Sequence, residues 1–492
     1  MEPNAVPQST LIRNADWIVA WNQQAGRHEY SQGADIAFSD GRIDFVGKDW
    51  RGEAERVIEG RGLAVLPGLV NLHCHPALEP FFRGIREDHG VPEMHMTGLY
   101  ERGQAFRPDV EDMAAAAEVA YCELLLSGTT SVCDQMWPWP GWFDLIARSG
   151  LRGFVAPGFA SARWKMTARH RLDYAWDEDK GRRDFAAALD QIETARRHPS
   201  GRLSGVVFPL QIDTCTEELL RDAMAVAEER DLPITTHASQ SVIEFQEMVR
   251  RHGLSPVQWA HRIGLLGRRM TLGHAIFVDS HSWLHHWSRD DVPIMAETGT
   301  SVAHCPSPFA RYGHALEDFG RYVEAGINMG VGTDVAPHNL IEEMRLAIVL
   351  ARVAGGDIRA ADPASLLHAA TVGGADALLR PDLGRLAVGA CADLVLIDLD
   401  HPLMRPARDP VRTLIWSGAD RAVRDVFIDG EQVVADRKVV HLDHGAALDR
   451  LTEAQARMVR DVPARDYLGR DAEEVVPLSL PRAGSNTAGG HR

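Results

Sequence analysis

Nowhere in the 492 residues does an apolar run approach the roughly 20 residues of a membrane-spanning helix. Positive charge is scarce, with 52 Lys and Arg against 69 Asp and Glu, a formal net charge of −17. An acidic surface argues against nucleic acid and anionic membrane as partners. Cysteine is sparse: Cys74, Cys122, Cys133, Cys215, Cys305 and Cys391 lie scattered with no paired spacing, which excludes a disulfide framework. The opening "MEPNAVPQST" lacks a basic start followed by an apolar core, so no signal peptide is expected, and the location expected is cytoplasmic. No internal repeat or long low-complexity tract is present. What remains is the composition of a globular enzyme or binding protein, 45% hydrophobic and 25% charged, too long for one simple core.

The two ends have a strand-rich texture. "TLIRNADWIVAW" and "ADIAFSDGRIDFVG" carry β-forming runs, with the turn "SDG" inside the second. The same texture returns in "GRLAVGACADLVLIDL" and "VRDVFIDGEQVVADRKVV", where Asp429-Gly430 marks a hairpin turn. Residues 1–66 and 381–442 are therefore expected to build one small β-sandwich from both termini, with a C-terminal helix and tail over 443–492.

The middle alternates. Short apolar runs ("LPGLVNLHCH", "TTSVCDQ", "LRGFVAPGFA", "GVVFPLQID", "LPITTHAS", "RMTLGHAIFV", "TSVAHCP", "INMGVGTD") are separated by helical patterns such as "PDVEDMAAAAEVAYCELLLSG". Eight runs at this spacing predict an α/β fold, a (β/α)8 TIM barrel over residues 67–380.

Polar side chains close several runs: His73, His75, His237, His274, His304 and Asp334. In a barrel these ends converge on one mouth. The period of two puts His73 and His75 on one face, with Cys74 pointing away. A lone histidine in an apolar run is more often a hydrogen-bonded core residue than a ligand. A set of five at successive strand ends, with a carboxylate opposite, predicts a nitrogen/oxygen cage for zinc or a similar divalent ion.

The motifs "LPGLVNLHCHP", "THAS", "LGHA", "VAHCP" and "GTD", in this order and spacing, resemble the amidohydrolase superfamily, in its cytosine deaminase, S-adenosylhomocysteine deaminase and triazine hydrolase branch. The likeness runs from about Leu11 to Val440. It implies one metal ion, zinc with iron, manganese or cobalt as alternatives, held by His73, His75, His237 and Asp334, with His274 touching the attacking water. Two-metal members carry a carboxylated lysine at the end of strand four; "GVVFPLQID" has none, so a single ion is expected. Where the branch has a proton-carrying glutamate three residues after the strand-five histidine, this chain has Gln240.

An amide only donates and accepts hydrogen bonds, so Gln240 cannot pass a proton to a leaving group. Glu244 and Glu247, further along the next helix, read as solvated or buttressing. The catalytic group is read as Asp334, His274 and Gln240, on a small amide-, urea- or carbamate-like, aromatic substrate. The alternatives are an aminohydrolase or dechlorinase of a heterocycle such as a triazine, pterin or nucleobase, and a catalytically silent barrel. Phe309 and His338 also depart from the branch pattern and look similar to its phenylurea and thiocarbamate hydrolases. With His304, Trp137 and Trp139 they are the expected substrate contacts. The segment "DHGVPEMHMTGLYERG" is expected to form a lid, His281, His285 and His286 to be surface or interface residues on a helix, and the assembly to be a homodimer or higher homo-oligomer.

Overall fold

The computed structural model describes residues 9–85, 97–168 and 171–483. The N-terminal strands are β1 (Ser9–Asn22), β2 (Arg27–Ser39), β3 (Arg42–Gly47), β4 (Arg56–Glu59) and β5 (Leu63–Pro67). The middle contributes β6 (Leu69–Cys74), β7 (Thr129–Met136), β8 (Arg152–Phe159), the hairpin β9 (Ala162–Ala168) and β10 (Arg171–Trp176), then β11 (Leu203–Gly205) and β12 (Phe208–Pro209). It continues with β13 (Ile234–Ala238), β14 (Met270–His274), β15 (Ser301–His304) and β16 (Met329–Val331). The chain ends its strands with β17 (Leu394–Asp398), β18 (Val423–Ile428), β19 (Glu431–Ala435) and β20 (Lys438–Val439).

Both ends enter one sheet, in the order β20-β19-β18-β17-β5-β1-β2-β3 with β4 beside β1. Its period of two is plain where β5 meets β17. Ala64, Leu66, Val395 and Ile397 face the main core, while Leu63, Val65, Leu394 and Leu396 face a second, smaller one. The sheet curls over this second core, so that Phe38 of β2 meets Phe427 of β18 edge to face with ring centroids 5.7 Å apart. Arg152, at the start of β8, reaches Asp393 and Asp429 at 2.6 Å each and ties this sheet to the middle of the chain.

Apart from the antiparallel hairpin β9-β10, the middle strands are parallel and fall into two sheets, β11-β8-β7-β6 with β12 on β8, and β13-β14-β15-β16. Every residue of β7, β8, β13 and β14 is buried, as parallel strands covered on both faces require. Isolated bridges join the sheets at both seams: Val207 to Ile234 and Gln211 to His237 on one side, Cys74 to Asp334 on the other. The ladder lapses there for local reasons. Pro209 offers no N–H, and Asp334 turns into the left-handed region at φ 58°.

The helix predicted in "PDVEDMAAAAEVAYCELLLSG" spans Met113–Leu126 and stops before Gly128, whose φ is +83°. It is apolar nearly all round because it packs between the strands and the C-terminal helix His444–Arg460, through Ala115, Val119, Leu451 and Met458. Part of the expected lid, residues 88–96, lies outside the described residues; its remainder falls in the helix Thr97–Ala105. Among the described residues no helix is long and apolar enough to cross a membrane.

One expectation is overturned here. His281, His285 and His286 do not lie on a surface helix. The segment is a turn-rich loop, with His281 and His286 buried against Phe277 and Phe245, while His285 is exposed as expected. The repeated His/Trp spacing resembles a helical stripe, but only the His281 and His286 rings turn inward, while Trp283 and Trp287 stay exposed.

Candidate metal centre

His73 and His237 end strands β6 and β13, and His75 follows β6 directly. Asp334 Oδ1 lies 3.6 Å from His73 Nε2 and 3.3 Å from His75 Nε2. His237 Nε2 lies 3.3 Å from His75 Nε2. His73, His75 and His237 offer nitrogens all within 4.8 Å of one another. His274, at the end of β14, brings Nε2 to 3.9 Å from Asp334 Oδ2. So the structure brings the four expected ligands and His274 together from four different strand ends.

The tautomers are set from behind. His75 Nδ1–H donates to the Gln135 carbonyl at 2.7 Å, and His237 Nδ1–H donates to the Leu210 carbonyl at 2.5 Å. Each Nε2 then presents its lone pair to the common point. Two lone pairs at that spacing repel unless a proton or a cation stands between them. Ligand atoms about 2.0–2.1 Å from a tetrahedral zinc lie about 3.3 Å apart, which matches the cluster. Both nitrogens of His73 are buried without a hydrogen-bond partner, which fits the ring to a cation ligand. A side chain at Gly332 would collide with His73, its Cβ falling 2.6 Å from the imidazole's own Cβ, so glycine there keeps the space for the ring.

Electrostatics prepare the set. Burial, together with the neighbouring imidazoles, pushes His237 well below the usual histidine range, and burial lowers His73 and strongly lowers His274. His75 goes the other way: burial disfavours its charge, but hydrogen bonding to Asp334 and to the Gln135 carbonyl outweighs that. Burial also opposes the charge of Asp334, yet contact with His73 and His75 holds it well below the usual carboxylate range. Neutral imidazoles and an ionised carboxylate are the forms that bind a cation, so His73, His237 and Asp334 are already in the ligating form and His75 gives up its proton on joining them. His73, His274 and Cys305 form a second close group. Burial raises the Cys305 thiol well above its ordinary value, which keeps it protonated in the metal-free protein.

His274 and Asp334 both take positive φ, 92° and 58°. Such backbone costs of order 1–3 kcal/mol per residue and persists where the surroundings enforce it, typically at functional sites.

Gln240 sits in the turn between β13 and the helix Val242–His252. It is buried and donates its amide hydrogen to Gln211 Oε1. Glu244 is not solvated: fully buried, it accepts the backbone N–H groups of Ser239 and Gln240 at 2.6 and 3.1 Å and so holds that turn. Glu247 pairs with Arg250 and Arg251. Gln211 was not singled out in the sequence; its bridge to His237 in the strand-four position is the signal that finds it. Glu79, four residues past His75, is another buried acid the motif did not flag, pushed by burial to about 7.

The expected substrate contacts separate. Phe309 is buried, its ring centroid 4.5 Å from that of His274. His304 is buried beside Phe319. His338 lies behind the site, not in it: fully buried, it faces Cys74 Sγ at 3.3 Å and Thr333 Oγ1 at 3.0 Å, on the side of β6 away from His73. Trp139 is buried in the core beside Trp142, whose Nε1–H donates to Asp134, while Trp137 is about half exposed. The tryptophan loop was read as pocket lining because it follows a strand; two of its indoles pack the loop down instead.

Burial alone depresses the His304 pKa to about 4. Between pH 6.5 and 4 the unfolded chain takes up a proton that the folded chain refuses. This contribution to stability is therefore complete above pH 6.5 and is lost as pH falls towards 4. His304→Gln is expected to flatten the acid limb of the metal-free protein's Tm across that window. An unchanged slope would contradict the assignment.

The amidohydrolase family profile matches residues 64–433. The 5-methylthioadenosine/S-adenosylhomocysteine deaminase of Haloarcula marismortui is 31% identical over 432 residues, covering 87% of this chain and 94% of the relative. The 5′-deoxyadenosine deaminase of Methanosarcina mazei is 26% identical, covering 92% and 99%. In fold, the chain is similar to a zinc-bound adenosine deaminase from Xanthomonas campestris (TM-score 0.78, 24% identity, 91% of this chain and 98% of that one). A zinc complex of atrazine chlorohydrolase from Arthrobacter aurescens matches at TM-score 0.76 and 24% identity, over 91% and 100%. The chain belongs to the amidohydrolase family, and it is a metal-dependent hydrolase of carbon–nitrogen bonds other than peptide bonds.

Proposed function

We propose that the protein is a single-metal aminohydrolase that releases ammonia from an amino-substituted nitrogen heterocycle of the purine type. The convergence of His73, His75 and His237 on Asp334, with His274 beside it, carries this reading. The deaminase names of the curated relatives support it over the amide, urea and carbamate substrates expected from Gln240. With it goes the finer architecture: a closed (β/α)8 barrel over 67–380, supported by the bridges at both seams, and a β-sandwich from 1–66 and 381–442.

His73, His75, His237 and Asp334 would hold the ion, and three nitrogens with one oxygen suit zinc. When bound, such an ion lowers the pKa of a water towards about 7 and polarises the electrophile. Asp334, kept ionised, would take a proton from the attacking water and return it to the departing nitrogen, which leaves as ammonia. His274, neutral in this pocket, steadies the developing negative charge. Its partner Phe309 walls that side of the pocket and keeps water out. Gln240 and Gln211 supply a fixed amide pair that orients the ring but moves no proton.

Gln240 also favours a second reading, hydrolysis of an amide, urea or carbamate, whose carbonyl carbon needs no ring protonation. A product assay separates the two. Ammonia from aminopurines, aminopyrimidines or aminotriazines, with no amine released from anilides and phenylureas, is the expected result. Release of substituted amines alone would establish the second reading instead.

A further inference from the structure

At the seam between β6 and β16 the described residues show only one bridge, Cys74 to Asp334, made by the Asp334 N–H donating to the His73 carbonyl at 3.0 Å. Yet this seam must hold two of the ligands at a fixed separation. A fully buried side chain supplies what the ladder lacks. Asn71, two residues before His73, donates from Nδ2 to Thr333 Oγ1 at 2.8 Å. Its Oδ1 accepts the backbone N–H of His73 and that of Thr333, each at 3.2 Å. One amide thus grips both strands one residue from Asp334. We propose that Asn71 is a positioning residue that sets the spacing of His73 and Asp334 and thereby the affinity of the site for its cation.

Two further observations give the grip its importance. The strands approach so closely here that a Cβ on Gly330 would fall 2.4 Å from the Leu72 side chain, and one on Gly332 would fall 2.7 Å from the His73 carbonyl oxygen. Such contact leaves no room for a second ladder of side-chain packing to hold the register. Beyond Thr333 the chain turns at once into the left-handed conformation of Asp334. The Thr333 N–H and hydroxyl both rest on Asn71, the hydroxyl also meeting His338 Nδ1 and Cys74 Sγ, so the amide shares in setting the direction of that turn and with it the aim of the carboxylate. Outer partners of this kind typically alter metal affinity by about 10- to 100-fold when removed.

The inference rests on the metal-site reading, and the test keeps the two apart. Zinc affinity of the whole protein is measured by competition with a chromophoric chelator, alongside Tm of metal-free and zinc-loaded samples. Failure of the unaltered protein to bind zinc would refute the metal site itself. With zinc bound by the unaltered protein, Asn71→Ala is expected to weaken binding by about 10-fold or more and to shrink the Tm rise that zinc gives. Asn71→Asp keeps both acceptor contacts, lets the Thr333 hydroxyl donate in turn, and is expected to restore affinity to near the original. Thr333→Val removes the hydroxyl that Asn71 Nδ2 reaches, together with its contacts to His338 and Cys74, and leaves Asn71 itself in place; it is expected to weaken zinc binding several-fold, which keeps the test open should the alanine variant not fold. Zinc affinity within twofold of the original in Asn71→Ala or Thr333→Val, with both Tm values lowered equally, would show a role in stability only and overturn the proposal.

Discussion

Asp334→Asn is expected to lower kcat/KM by about 1,000-fold or more while leaving the fold intact. The amide is nearly isosteric and still reaches His73 and His75, which lie 3.6 and 3.3 Å from the carboxylate. It lacks the charge that those imidazoles hold in place, and it accepts no proton. Two losses coincide: a neutral ligand weakens the hold on the cation, and no other ionised carboxylate makes contact with these imidazoles among the described residues. Saturating the assay with zinc separates them. Activity that stays low at full occupancy reports the lost proton acceptor. Recovery to within tenfold of the original would show Asp334 to be a ligand only and would remove it from proton transfer.

The second large effect runs upward. Gln240→Glu is expected to raise ammonia release from aminopurines by about 100-fold or more, since a general acid contributes roughly 10²–10⁴ in rate. The site is suited to receive it. Gln211 can rotate its amide to donate to the new carboxylate, and the backbone of residue 240 is already fixed by Glu244. Burial in this neighbourhood raises carboxyl pKa values, to about 7 at Glu79 and about 8 at Glu343. A glutamate at 240 would accordingly keep a proton to give near neutral pH. Unchanged ammonia release by a folded variant would make Gln240 a structural residue. It would also leave Asp334 as the whole of the proton path.

Much of the site was legible because its chemistry follows strand periodicity. His73 and His75 fall on one face of one strand, and the apolar runs that end in His237, His274 and Asp334 mark strands whose ends meet. The strand-rich segments at both ends were equally readable, because β5 and β17 alternate faces at a period of two. What escaped was whatever depends on the third dimension. Gln211 looks like any polar residue after a strand until its partner Gln240 is placed beside it. Glu244 was left between a solvated and a buttressing role, since nothing in a helix pattern says that its carboxylate folds back onto the N–H groups of residues 239 and 240. His338 and Trp139 followed strand ends and so resembled pocket residues, but their sides of the chain face the core. Gln240 itself was read from its lost proton towards amides and ureas, whereas the relatives point to ring amines. One missing functional group is weak evidence for a substrate when another carboxylate, Asp334, stands in the same site.

All of this depends on one cation gathered by residues from distant strands. Elemental analysis of the purified, chelator-treated and zinc-reconstituted protein, beside His73→Ala, His237→Ala and Asp334→Ala, tests it most directly. The account predicts one zinc per chain in the unaltered protein and far less than one in each variant. Full zinc in all three variants, or none in the unaltered chain, would contradict it.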